Sequence, residues 1–223
     1  MFGTIFKKKY PDFWNKYDNY FKENKETDIE NTRFVVFDTE STGLDIKNDR
    51  ILSIGAISIL GNSIDVSHSF EIYLNQEKFN ADTVKIHGIL KAGNLTKFSE
   101  EEAIIQFINY IRDGILVAHH VDFDVAIIDK ALSRMNLPKL KNKRIDTGGL
   151  YKMSLPYSQT YKHFGLDELC NVYKITKHDR HTASGDAYIA AILFQKIMAS
   201  LKKKNKNLQL RDLFHSQKRE GLL

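Results

Sequence analysis

The spacing of apolar residues along the chain predicts an α/β protein. Five short segments are rich in β-branched and aromatic residues and are bounded by turn residues, which is typical of strands. They lie at 34–37, 51–60, 66–74, 115–118 and near 143–145. The pair Gly61-Asn62 is a turn signal between the second and third, so we expect a meander. The pattern therefore predicts a mixed sheet of five strands flanked by helices.

Helices are predicted where apolar residues recur three and four positions apart. Ser99 and Glu102 form a capping box that opens one of them, and Gly114 ends it. Further helices are predicted at 12–23, 122–135 and 182–201. The first of these has an aromatic face that either packs on the domain or binds a partner, and its members are Phe13, Trp14, Tyr17, Tyr20 and Phe21.

The length of 223 residues fits one domain with extensions. We expect an N-terminal helical extension over 1–30, a domain over 31–201 and a tail over 202–223. The formal charge of +5 lies entirely in the tail, where seven Lys and Arg residues stand against two acids. Such a tail indicates either a polyanion partner or a solvated segment that aids solubility.

Composition also bears on the cellular location of the protein. The single cysteine, Cys170, excludes an intramolecular disulfide and a cysteine-based zinc site. The first residues lack the apolar core of a signal peptide, and the longest apolar-rich stretch, 51–60, is too short to span a bilayer. We therefore expect a cytoplasmic location and no membrane partner.

The strongest chemical signal is the pair Asp38 and Glu40, which follows the first strand. Residues i and i+2 of a strand share a face, so two carboxylates lie side by side, and a divalent cation such as Mg²⁺ or Mn²⁺ relieves their repulsion. Asp124 and Asp186 lie in early turns of predicted helices, and His181 precedes Asp186 by five residues. Each has an ordinary explanation when taken singly, as a solvated strand end, a helix N-terminus or a cap.

Taken together, three segments resemble the motifs of the DEDDh exonuclease family, which includes the proofreading epsilon subunit of bacterial DNA polymerase III. They are FDTESTGL at 37–44, AHHVDFD at 118–124 and HTASGDA at 181–187. Minor markers agree, namely the segment 86–89, Asp146-Thr147, His163 and the segment 166–169. The resemblance covers about residues 32–200 and implies a ribonuclease H-like fold. His181 distinguishes this branch from relatives that carry Tyr four residues before the last acid.

The resemblance implies a metal-dependent 3′-to-5′ exonuclease that releases nucleoside 5′-monophosphates from single-stranded or frayed DNA ends, in proofreading or repair. The implied catalytic acids and metal ligands are Asp38, Glu40, Asp124 and Asp186, which would hold two Mg²⁺ or Mn²⁺ ions. In this scheme Asp38 bridges both ions, Glu40 and Asp186 serve the water-activating ion, and Asp124 serves the other. His181 is the implied general base toward the attacking water.

Contacts with the terminal nucleotide are expected from the loop after the first strand and from the later motifs. The residues expected to bind substrate are Thr39, Thr42, Gly43, Leu44, His87, His120 and Phe123. For His87, core or turn packing is the alternative. Relatives usually carry Asn at the position of His120, so contacts attributed to that amide are in question here. Asp122 is interpreted as a helix cap.

Other functions stay open on the sequence alone. Nothing detects a 2′-hydroxyl, so an RNA-trimming exonuclease of the oligoribonuclease or tRNA-end type is the alternative substrate class. A different class is a weakly catalytic module that holds a DNA polymerase or a sliding clamp. The segment 208–214 loosely resembles clamp-binding peptides, and docking on the protein's own surface is its other interpretation.

Overall fold

The computed structural model describes residues 9–22, 28–78, 80–90, 95–156 and 162–214. The strands are β1 Arg33–Ser41, β2 Ile51–Leu60, β3 Ser63–Leu74, β4 Lys97–Phe98, β5 Ile115–Ala118 and β6 Arg144–Asp146. The helices are α1 Asp12–Asn19, α2 Ala81–His87, α3 Glu100–Ile111, α4 Val121–Arg134, α5 Thr147–Lys152, α6 Leu166–Tyr173 and α7 Ala183–Lys204. A 3₁₀ helix follows at Leu210–Phe214.

Over the described ranges the strands form one mixed sheet in the order β4-β3-β2-β1-β5-β6. β1, β2 and β3 pair antiparallel, which confirms the meander, whereas β5 is parallel to β1 and β6 is parallel to β5. The sheet has one strand more than the five predicted. The additional strand, β4, is two residues long and pairs with the end of β3. A segment of two residues shows no periodicity that a sequence pattern could reveal.

The predicted start of α3 and the predicted end of α4 agree closely with the structure, whereas α1 ends at Asn19, four residues before its predicted end. The Ser99 hydroxyl accepts from the Glu102 amide at 3.2 Å, and the Glu102 carboxylate accepts from the Ser99 amide at 2.9 Å, so the capping box is confirmed. Thr182 is the N-cap of α7 rather than its first residue, and α7 continues to Lys204. The pattern does not predict α2, which is seven residues long.

The sheet separates two hydrophobic layers. One layer lies under α1, α3 and α4, and the other lies under α5, α6, α7 and the 3₁₀ helix. Trp14 and Tyr17 are buried in the first layer, so the aromatic face of α1 packs on the domain. β1 supplies both layers by alternation, with Val35 and Phe37 in the first and Phe34 and Val36 in the second.

The C-terminal segment also packs on the body of the protein. Leu213 is 1% exposed in the second layer, and Leu208, Leu210 and Phe214 pack against it. Residues 215–223 of the predicted tail lie outside the described residues. In the part of the chain that the structure describes, no helix has both the length and the apolar character that crossing a membrane requires.

Candidate active site

The structure brings three of the four predicted acids together at the end of β1. Asp38 and Glu40 lie on the face of the sheet that α7 covers, and Asp186 lies in the first turn of α7. Each offers a carboxylate oxygen, and these oxygens all lie within 4.8 Å of one another. The strand alternation that predicted a shared face for Asp38 and Glu40 is thereby confirmed.

Asp124 approaches the same strand from the opposite layer. It lies in the first turn of α4, which begins after β5, the parallel neighbour of β1. Its Oδ1 accepts from the amide of Thr39 at 3.0 Å and from the Thr39 hydroxyl at 2.7 Å. Thr39, which lies between the two metal-ligand candidates of β1, therefore fixes the Asp124 carboxylate. Its own role in substrate binding stays a prediction.

The acids raise one another's pKa. Burial raises the pKa of Glu40 to about 8, and the carboxylates of Asp186 and Asp124 add to the shift. Burial, followed by the charges of the neighbouring acids, also holds the pKa of Asp38 well above its usual range. Burial raises the pKa of Asp124 to about 7, against the opposing effect of the bonds from Thr39. The site is therefore a concentration of negative charge that the fold does not relieve completely.

A glycine of β2 allows α7 to reach the acids. Gly55 is paired with Asp38 across the β1–β2 ladder. A Cβ atom on Gly55 would lie 2.2 Å from the backbone of Ala183 and Ser184. The first turn of α7 therefore touches the sheet directly beside Asp38, and this contact places Asp186 next to the strand.

His181 lies in the loop immediately before α7. Its backbone has φ of +65°, its side chain is exposed, and its amide donates to Asp186 Oδ2 at 3.3 Å. Arg180, which the sequence patterns did not single out, places a guanidinium nitrogen on the same Asp186 oxygen. Burial raises the pKa of Asp186, and Arg180 opposes that shift.

The loop after β1 is organised by a buried acid, Asp49. Its carboxylate accepts from the Thr42 hydroxyl at 2.7 Å, from the Asp45 amide at 2.8 Å and from Lys78 at 2.7 Å. Burial acts to raise the pKa of Asp49, but the bonds from Lys78 and Thr42 hold it below its usual range. Gly43 packs so closely that a Cβ would meet this carboxylate at 2.5 Å. Thr42 and Gly43 thus shape the loop that presents Leu44.

The remaining predicted contacts differ in exposure. Leu44 is 83% exposed, whereas Phe123 is partly buried against the first hydrophobic layer. His87 ends α2 and is buried, and its Nδ1 accepts from the Ile89 amide at 3.0 Å. Burial lowers the pKa of His87. The turn-packing interpretation of His87 thus has a definite contact, and its contact with substrate stays a prediction.

The two histidines after β5 have separate environments. His119 is partly buried with Nδ1 2.8 Å from the Thr147 hydroxyl, and desolvation lowers its pKa to about 4. His120 is exposed in the left-handed region with φ of +68°, and its ring stacks edge-on against His119 at 4.5 Å. Histidine, like Asn and Asp, is among the non-glycine residues that adopt this backbone region most readily, so the backbone here accommodates His120.

The prediction that Asp122 caps α4 is wrong. Asp122 lies inside the first turn and pairs with Arg144 at 2.9 Å. The amides of His120 and Val121 donate instead to Asp146 Oδ2, at 2.7 and 3.1 Å. Asp146 is distant in sequence, so a rule based on neighbouring residues assigns the cap to the wrong acid.

The donor set fits hard divalent cations. Carboxylate oxygens are the ligands that Mg²⁺ and Mn²⁺ prefer, and three of them converge here. Asp186 Oδ1 is buried and has no hydrogen-bond partner among the described residues. A buried carboxylate oxygen without a partner is costly, and a bound cation would satisfy it. The acids could therefore hold divalent metal.

Comparison with known proteins finds a matching family model and named relatives. A family model described as Exonuclease, RNase_T, matches residues 35–194. The DNA polymerase III subunit epsilon of Buchnera aphidicola subsp. Acyrthosiphon pisum is 32% identical over 174 residues, which are 73% of this chain and 71% of that protein. The PolC-type DNA polymerase III of Caldanaerobacter subterraneus is 31% identical over 169 residues, or 75% of this chain. The match spans only 12% of that polymerase.

A solved structure shares the fold. The structure titled Exonuclease X in complex with 5′ overhanging duplex DNA superposes with a TM-score of 0.59 and 22% sequence identity. The match covers 75% of this chain and 92% of that one. The predicted ribonuclease H-like α/β fold is thereby confirmed.

Proposed function

The chain belongs to the exonuclease family of the RNase_T model, and on this premise we propose that it hydrolyses DNA from the 3′ end and releases nucleoside 5′-monophosphates. The observation that carries the proposal is the convergence of Asp38, Glu40 and Asp186 within 4.8 Å. The buried Oδ1 of Asp186, for which the described ranges supply no hydrogen-bond partner, supports a cation there. Single-stranded or frayed ends are the proposed substrate, as the family resemblance implies.

Each acid has a proposed part in holding metal. Asp38, Glu40 and Asp186 would hold Mg²⁺ or Mn²⁺ from the α7 side, and Asp124 would contribute from α4, where Thr39 fixes it. When bound, a pair of such ions activates water and stabilises the negative charge that develops on the phosphate and the leaving oxygen.

His181 is the proposed general base. It lies five residues before Asp186 and its amide is bonded to the Asp186 carboxylate, so the loop keeps it beside the acids. Its side chain is exposed. A proton taken from the attacking water can therefore pass on to solvent. Leu44, which projects from the Asp49-centred loop, would pack on the terminal base without reading its identity.

The proposal is tested with single-stranded DNA labelled at its 5′ end, incubated with Mg²⁺, with Mn²⁺ or with chelator. The unmodified protein should shorten the DNA stepwise with metal and not with chelator. We expect Asp38→Asn to lose at least about a thousandfold in rate, and His181→Ala to lose about a hundred- to ten-thousandfold. His178→Ala, an exposed histidine of the same loop, is the matched control.

Failure of the unmodified protein to shorten DNA with either metal would overturn the proposal. RNA of matched sequence belongs in the same assay, because faster cleavage of RNA would favour the alternative substrate class. Equal rates for His181→Ala and His178→Ala would remove only the assignment of the base.

We also propose a polymerase partner and a role in proofreading, which the names of the relatives support. Replication would place the chain in the cytoplasm. The test is recovery of a tagged chain from its native cells together with a DNA polymerase catalytic subunit. Recovery of an active exonuclease alone would instead indicate a free-standing repair enzyme. Clamp binding through 208–214 is the narrower alternative, and it would require Leu213 to leave its buried position.

A further inference from the structure

Arg180 joins the candidate site to a helix outside it. Its Nε lies 3.1 Å from Asp167 Oδ1 and its Nη2 lies 3.2 Å from Asp167 Oδ2, which is a two-pronged contact. Its third nitrogen, Nη1, donates to Asp186 Oδ2. Asp167 lies in the first turn of α6, and Asp186 lies in the first turn of α7. One guanidinium thus connects two helices through two carboxylates.

The two carboxylate oxygens of Asp186 differ in their hydrogen bonds. Oδ2 accepts from Arg180 and from the amide of His181. Oδ1 is buried and has no hydrogen-bond partner in the described part of the chain, and the carboxylate belongs to the group formed with Asp38 and Glu40. With Oδ2 held by two donors, rotation of the carboxylate would break both bonds. Oδ1 is therefore the oxygen left to face a cation.

The loop that carries Arg180 and His181 is tightly closed onto α7. The Thr182 hydroxyl donates to the carbonyl of Asp179 at 2.7 Å, and a Cβ on Gly185 would lie 2.1 Å from that carbonyl. Asp179 and His181 both have positive φ, at +52° and +65°. Such a backbone persists only when its surroundings hold it. Arg180, between these two residues, supplies an anchor to α6.

We propose that Arg180 is a positioning residue, which fixes Asp186 in its metal-binding orientation and holds the loop of His181 against α6. This inference rests on the proposed function, because it assigns Asp186 to metal. Metal ligands are commonly oriented by outer partners of this kind, and loss of such a partner typically costs ten- to a hundredfold in metal affinity, an order-of-magnitude figure. Lysine would not replace Arg180, because one ammonium cannot match both carboxylates in the planar arrangement.

The competing interpretation makes Arg180 only a counter-charge for the acids. The two interpretations predict opposite changes when the charge is removed. Without a counter-charge the acid cluster becomes more negative and would bind a cation more tightly. Without a positioning residue the Asp186 carboxylate turns and binds the cation more weakly.

Direct binding of Mn²⁺, followed by loss of the electron paramagnetic resonance signal of the free ion, separates these outcomes without measuring catalysis. We expect Arg180→Gln to weaken Mn²⁺ binding about ten- to a hundredfold, Arg180→Lys to weaken it less, and Asp167→Asn to weaken it about tenfold. Lys177→Gln is the matched control, because Lys177 pairs with Asp167 at 3.0 Å and has no described contact with Asp186. That variant should stay within about twofold of the unmodified protein.

The outcomes identify which idea fails. Tighter or unchanged Mn²⁺ binding by Arg180→Gln overturns the positioning role while leaving the proposed function intact. No Mn²⁺ binding by the unmodified protein overturns both. Thermal unfolding measured on each variant excludes general loss of structure. Should Arg180→Gln fail to fold, Asp167→Asn and Arg180→Lys decide the question, because each removes only part of the contacts that join Asp167, Arg180 and Asp186.

Discussion

At the scale of single residues, Glu40 carries an unfavourable charge in the metal-free protein. Burial and the nearby acids raise its pKa from 4.5 to about 8. Because the folded-state pKa is raised, Glu40 favours the folded state fully below its ordinary pKa, and this contribution is lost as pH rises through about 8. In the metal-free protein, the contribution of Glu40 to folding stability is therefore least favourable at alkaline pH.

We therefore predict that Glu40→Gln stabilises the metal-free protein at pH values above about 8, by about 1–3 kcal/mol. The gain should shrink as pH falls from about 8, where Glu40 of the folded protein takes up its proton, toward its ordinary pKa of 4.5. Urea unfolding in the presence of chelator measures both effects. Glu77→Gln, which removes an exposed acid after β3, is the control and should change little. A Glu40→Gln variant that is less stable than the unmodified protein at every pH would contradict this account.

The residues of the site differ in how far the sequence could reveal them. Asp38, Glu40, Asp124 and Asp186 were predicted because they lie in three motifs that together resemble those of an exonuclease family, each beside a strand or helix. Arg180 was not predicted, because its contacts are with two carboxylates on different helices. The contacts of Asp49, Gly55 and Asp146 were not predicted either, because each joins residues that are separated in the sequence.

At the scale of elements, the contact between β2 and α7 positions the site. Gly55 faces the first turn of α7 so closely that a Cβ would lie 2.2 Å from its backbone. We predict that Gly55→Ala lowers the free energy of unfolding by about 3 kcal/mol or more, because helix and sheet must separate to make room. Calorimetry or denaturant unfolding checks this value.

Gly165→Ala is the matched control for Gly55→Ala. Gly165 lies at the start of helix α6, and a Cβ there would meet nothing within 4 Å. Its replacement should cost less than about 1 kcal/mol. Mn²⁺ binding should fall in Gly55→Ala and not in Gly165→Ala, because only the first moves Asp186. Equal stability of the two variants would show that the close approach does not exist in solution.

Element length explains part of what was predicted, although the short strands β5 and β6 were predicted as well. The three long strands of the meander and the helices α3, α4 and α7 contain several periods of their hydrophobic pattern. β4, with two residues, and α2, with seven, contain too few. The end of α4 was placed within one residue, whereas its cap was assigned to Asp122 instead of Asp146. Local periodicity thus predicted the elements themselves. The hydrogen bonds at the start of α4 come from a residue distant in sequence, which periodicity does not reveal.

At the scale of the whole molecule, both terminal segments contribute to the hydrophobic layers. α1 buries Trp14 and Tyr17 against the first layer, and the Tyr17 hydroxyl donates to Asn142 at 2.6 Å. The 3₁₀ helix buries Leu213 in the second layer, and Lys143 lies over the Phe214 ring at 5.4 Å. The segments outside the motif region therefore act in part as packing elements of the domain.

This packing makes a definite prediction for the segment 208–214. Leu213→Ala should lower the free energy of unfolding by about 2–4 kcal/mol, because a leucine that is 1% exposed leaves a cavity when truncated. Leu210→Ala is the control, since Leu210 is only partly buried and should cost about 1 kcal/mol. If the segment instead serves chiefly to bind a sliding clamp, Leu213→Ala would abolish recovery of the clamp and leave stability unchanged. Because a side chain cannot fill the core and a partner's groove at once, unfolding and pull-down measured on the same two variants decide between the two uses.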